Sequence, residues 1–126
     1  MEERGRLEKR FREQAALLDK TTDAIVVSDL DHRITYWNKG AERVYGWTAE
    51  ETIGRRAPEL LYREFTTFEA AVASIIKTSE WTGEIQQVNR AGAKLLVEAR
   101  WTLLRNSAGQ PQGILEAGYE IGCGID

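Results

Sequence analysis

DAIVVSDLDHRITYWNKGAERVYGWTAEETIGR, Asp23 to Arg55, is the stretch whose reading decides the fold. Val26, Val27, Ile34, Tyr36 and Trp37 are residues that suit a pleated strand, and Asp29, Leu30, Asp31 and His32 between them make a polar turn. The segment therefore predicts a tight β-hairpin. Asn38 suits a helix N-cap and Gly46 a stop; Thr48 suits a second N-cap and Gly54 a second stop. Thr48 with Glu51 has the spacing of a capping box, in which two orphan amides are satisfied reciprocally. A hairpin running straight into two short, separately capped helices is an arrangement few small folds need.

Upstream, residues 2–20 are dense in charge, with Leu7, Phe11, Ala15 and Leu18 along one helical stripe. Glu2 with Arg6 and Glu8 with Arg12 form favourable i,i+4 pairs, and the balance of signs marks a solvated face. So short a stripe must pack on something to be stable, either the chain's own sheet or a second copy. Downstream, Ala57-Pro58-Glu59-Leu60-Leu61 predicts a turn of helix with Pro58 near its start. Leu61, Phe65, Phe68, Val72, Ile75 and Ile76 then share one face of a longer helix.

From Trp81 the period changes to two. Trp81, Gly83, Ile85 and Gln87 share one face of a strand, and Leu95, Val97, Ala99, Trp101 and Leu103 one face of the next. Asn89 to Gly92 and Asn106 to Pro111 are turn-rich loops, and Ile114 to Ile121 is a last strand. Three strands on short loops make an antiparallel meander. With the opening hairpin the expectation is an α+β fold: a five-stranded antiparallel sheet, short connecting helices, one longer helix on one face, and an amphipathic helix in front.

The order of elements, and the runs DLDHRITYWNKGAERVYGWTAEETIGR and WTGEIQQVNRAGAKLLVEARWTLLRNSAGQPQGILE, resemble the PAS family, the sensory modules of signalling proteins, most of all those of bacterial sensor histidine kinases. The resemblance covers roughly residues 22–122, and it divides the chain into a helical segment 1–21, a PAS domain 22–122 and a remnant 123–126. His32 stands where the family often has glycine, and Glu120-Ile121-Gly122 where it often closes with Asp-Ile-Thr. The two glycines after Glu120 disfavour a rigid helical exit.

The resemblance implies a cavity between sheet and long helix, lined by Ile25, Val27, Ile34, Phe65, Phe68, Val72, Ile76, Ile85 and Gln87, with either Glu98 or Val97. Concave apolar sites with a few polar groups hold small ligands, but dense packing makes a filled core the default for the hydrophobic members. Gln87, Glu98 and Arg100 discriminate better, because a buried polar group needs a partner. A haem-binding PAS domain places a histidine on the long helix; Arg63 to Lys77 contains none, and His32 lies in a turn. Covalent flavin-thiol chemistry needs a cysteine on the short helices, whereas Cys123 is at the far end. A non-covalent flavin or small organic ligand stays open, and no cofactor at all is the leading expectation. Trp37, Trp47, Trp81 and Trp101 suit packing or an interface.

For signal relay, the expected residues are Leu7, Phe11 and Leu18 on the front helix and Glu120 and Ile121 at the strand exit, with Leu95, Trp101 and Tyr119 as the sheet surface beneath that helix. The expected partners are a second copy and an output domain in the parent chain. Enzyme chemistry has little to draw on: His32 is the only histidine, the glycines are scattered singly, and Glu84 with Glu98 is the one candidate carboxylate pair. A net charge of -3 offers no pull on nucleic acid or anionic lipid, and no apolar run approaches the roughly 18 residues of a spanning helix. One cysteine, which cannot form an internal disulfide, fits a reducing cytoplasm.

Overall fold

Asp29 builds the turn that starts the fold. Its Oδ1 accepts from the backbone N–H groups of Asp31 and Arg33, both at 2.9 Å, and closes the hairpin between β1 (Ala24–Asp29) and β2 (Ile34–Trp37). His32 takes the left-handed conformation there, φ 67°, one that histidine tolerates better than most side chains. The computed structural model describes residues 23–123, so Leu7, Phe11 and Leu18 lie outside the described residues.

The predicted caps are present. Asn38 accepts from Ala41 at the start of α1 (Lys39–Tyr45), and Gly46 ends that helix in the left-handed region, φ 79°. Thr48 and Glu51 form both bonds of the capping box on α2 (Ala49–Thr52). Pro58 sits in the first turn of α3 (Ala57–Leu61). The longer helix, α4, is Thr66–Thr78, so Leu61 belongs to the preceding helix and the expected face starting at Leu61 is interrupted. The face of α4 that packs on the core is Phe68, Ala71, Val72 and Ile75, the i, i+3, i+4, i+7 stripe of an amphipathic helix.

β3 (Glu80–Val88), β4 (Lys94–Arg105) and β5 (Pro111–Cys123) form the meander, and β5 continues through Gly122 to Cys123. The sheet has five strands in the order β2-β1-β5-β4-β3, with every neighbouring pair antiparallel. The last strand in sequence is thus the middle strand in space. Directly paired residues lie on the same face, and one row of partners crosses the whole sheet: Trp37, Val26, Glu116, Trp101 and Trp81. That row faces the helices. The core on this inner face joins Val26, Ile34, Trp37, Tyr45, Leu61, Tyr62, Ile75, Ile85, Val97 and Trp101.

Candidate functional site

Within this apolar inner face lies a hydrogen-bonded polar cluster, built from four separate segments of the chain. Gln87 on β3, only 1% exposed, is its hub. Its Oε1 accepts from the Tyr45 hydroxyl of α1 at 2.6 Å. Its Nε2 donates to the Tyr62 hydroxyl, just beyond α3, at 3.0 Å and to Glu116 Oε2 on β5 at 3.1 Å. Gln87 belongs to the edge strand and Glu116 to the middle one, so the sheet must curl for the two to meet. Every hydrogen-bonding group of the Gln87 amide is engaged, as a buried amide requires.

Burial dominates the electrostatics. It pushes the Glu116 carboxyl up to about 7, against the opposing pull of the Gln87 hydrogen bond. Burial, then the nearby Glu116, raises the hydroxyls of Tyr45 and Tyr62 well above the usual tyrosine range. Both phenols are therefore neutral, Tyr45 donating to the Gln87 amide and Tyr62 accepting from it, and Glu116 is poised between its two protonation states near neutral pH.

Beside Glu116 is a cavity of about 20 Å3, lined by Val26, Ser28, His32, Ala57, Tyr62, Phe68, Trp101, Ile114 and Glu116. Tyr62 and Phe68 stand 5.0 Å apart by ring centroid, Phe68 and Trp101 5.8 Å, and His32 meets Phe68 edge-on at 5.1 Å. Glu116, Tyr62 and Trp101 are buried at the back, while half-exposed His32 and Phe68 form the outer wall. The Trp101 indole Nε1 is buried without a hydrogen-bond partner. Burial, and then Arg56, hold His32 below its ordinary value. At neutral pH it is an uncharged wall.

Several expected site residues are placed elsewhere. Ile25 and Val27 are buried, yet they alternate with Val26 and Ser28 and so lie on the opposite face of β1. A strand apolar on both faces carries no alternation from which phase can be read. Phe65 precedes α4 and is 44% exposed, and Ile76 is 72% exposed; Ile75, one residue earlier, points inward. Val72 packs against the core without lining the cavity, as do Ile34 and Ile85. Glu98 pairs with Glu84 and Tyr119 on the outer face, and Val97 takes the inner position. Leu95 and Trp101 are buried members of the core cluster, not part of the exposed sheet surface expected of them. Tyr119, Glu120 and Ile121 are exposed near the end of β5. Phe68 lines the cavity as expected; Gln87 is buried and fully hydrogen-bonded but does not itself line it.

Sequence reading missed Glu116, Tyr45 and Tyr62. Register was the available signal: Glu116 alternates in phase with Ile114 and Gly118 and pairs with Trp101.

A family model described as the PAS fold matches residues 18–122. The chain belongs to the PAS family. Its match with the PAS domain of a Colwellia psychrerythraea protein has 29% identity and a TM-score of 0.79, covering 88% of this chain and 96% of that one. An RNA-binding light-oxygen-voltage receptor is 23% identical with a TM-score of 0.73, over 85% of this chain and 32% of its own. A fungal LOV domain photoreceptor is 16% identical with a TM-score of 0.67, over 79% and 75%. The last two likenesses concern the fold alone. No curated protein matches. As a PAS domain, the described chain is a sensory module. Among the described residues no cluster of His, Cys, Asp and Glu could hold a metal ion, and no helix is long and apolar enough to cross a membrane.

Proposed function

We propose that this PAS domain is the cytoplasmic sensory module of a multidomain, two-component signalling protein of the bacterial sensor histidine kinase type, working as a homodimer. The observation that carries the sensing role is the buried cluster of Gln87, Tyr45, Tyr62 and Glu116. A fully hydrogen-bonded polar network in an apolar core is costly to disturb and holds one packing against another. An input acts by its differential affinity for two such packings. β5 supplies the path, since it carries Glu116 inside and exposed Glu120 and Ile121 near its end. The front-helix stripe of Leu7, Phe11 and Leu18 would join two copies, and the output domain would follow in the parent chain.

A second reading, a ligand-free protein-interaction module, is favoured by the small cavity. Roughly 300–1,000 Å3 is usual for sites of drug-sized ligands, against about 20 Å3 here. Flavin is the ligand suggested by the light-oxygen-voltage neighbours. The residues present do not fit its ring system unless Phe68, Tyr62 and Trp101 part, and the cavity lining includes no cysteine.

The test is Glu116→Gln in the full-length parent. The exchange keeps shape and removes ionisation. Sensing through the cluster predicts that basal output shifts by about tenfold, a coupling of ordinary size, with the dimer intact. A folded variant with unchanged output contradicts the sensing role.

A further inference from the structure

Glu116 is a buried carboxyl with no cation beside it among the described residues. Its hydrogen bond is to Gln87, and no positive charge of the described residues offsets its burial. The titratable groups that face it are Tyr45 from α1, Tyr62 beyond α3 and His32 from the β1–β2 turn. The phenols are neutral, and His32 is held toward its neutral form. From α4 and β4 the cavity receives the rings of Phe68 and Trp101. An ionised carboxylate in such surroundings is costly unless a cation pairs with it, and the missing counter-charge is what a ligand can bring.

The walls agree with that charge. Tyr62, Phe68 and Trp101 surround the same space at ring spacings of 5.0 and 5.8 Å. Aromatic faces attract ammonium groups, and a carboxylate within the same enclosure completes their recognition. An anion would meet the charge of Glu116 instead. The volume of about 20 Å3 suits one water-sized head group.

We propose that this cavity binds a small ammonium cation, either ammonium itself or the –NH3+ head of a short alkylamine, against the Glu116 carboxylate and within the rings of Tyr62, Phe68 and Trp101. The proposal rests on the inner face being the sensing site and names the chemical class of its input. Half-exposed His32 and Phe68 are the wall that must part for an alkyl tail, so binding should weaken from methylammonium to tetramethylammonium. Binding requires the ionised carboxylate and therefore releases a proton when Glu116 starts protonated.

Calorimetric titration of the purified chain with ammonium and methylammonium chloride, against sodium chloride and sodium acetate, tests this. Saturable binding of methylammonium is expected, about tenfold tighter at pH 8 than at pH 6 because the ionised fraction of Glu116 rises by that factor. Proton release at pH 6 and loss of binding in Glu116→Gln are expected too. Phe68→Leu, which removes one half-exposed ring, should weaken binding severalfold and serves if the first variant does not fold. Binding undiminished in both variants overturns the proposal. So does preference for acetate, which would mark the free Trp101 N–H as the recognising group, and so does absence of saturable binding to the folded wild type. If amines fail while Glu116→Gln still shifts the parent's output, the sensing role stands with another input; an unresponsive output removes the sensing role itself.

Discussion

Gln87 and Glu116 divide what was legible at the scale of a residue from what was not. Gln87 stood out because an amide on the same strand face as Trp81 and Ile85 needs a buried partner. Glu116 did not, because acids at 116 and 120 in a strand with Gly113 and Gly118 resemble a solvated edge. Its pairings with Val26 and Trp101 place it inside. A carboxyl raised to about 7 binds its proton more tightly in the folded chain than in the unfolded one. The folded state therefore loses stability as pH rises from the ordinary carboxylate value through 7, by roughly 3 kcal/mol at full ionisation. Glu116→Gln lacks that loss. Its melting temperature should gain on wild type as pH goes from 5 to 8 in paired thermal melts, and a difference independent of pH would contradict the assignment.

At the scale of elements, caps and turns were readable because their chemistry is local. Asn38, Gly46, the Thr48–Glu51 box and Pro58 act over three or four residues, and each is where the sequence puts it. Phase was harder. β1 is buried at Ala24 to Val27 without alternation, and on α4 small Ala71 occupies the inward stripe while bulky Ile76 faces out. Size alone thus adds Ile76 to a face it does not share and passes over Ala71. Asn38 also shows one side chain serving two elements. Its Oδ1 accepts from Ala41 of α1 and from Ile25 of β1, each at 2.8 Å, and its Nδ2 donates to the Asp23 carbonyl at 3.2 Å. Gly40 sits beside this junction, where an added Cβ would collide with the Asp23 carbonyl oxygen. Asn38→Ala removes a cap and leaves the buried Ile25 N–H unpaired, at a cost of about 2 kcal/mol. Urea unfolding should show that loss with an unchanged slope, and a variant as stable as wild type would rule out the double role.

Across the whole molecule, strand order makes the site. Because β5 inserts between β1 and β4, it is the middle strand of the sheet, and Glu116 sits midway along the row from Trp37 to Trp81. The order of elements was visible in the sequence as a PAS arrangement. The convergence of Tyr45, Tyr62, Gln87 and Glu116 from four separate segments of the chain was not, since it depends on the curl of the sheet. The same strand runs from this cluster to the exposed residues Tyr119 to Ile121. The sensing role depends on one carboxyl held in the centre of the fold with no positive charge of the described residues beside it. Its titration, followed by carbon NMR of the side-chain carboxyls in wild type and in Glu116→Gln, is the most direct measurement. A resonance absent from the variant and titrating with a midpoint near 7 is the expected result; a Glu116 midpoint below 5 would contradict it.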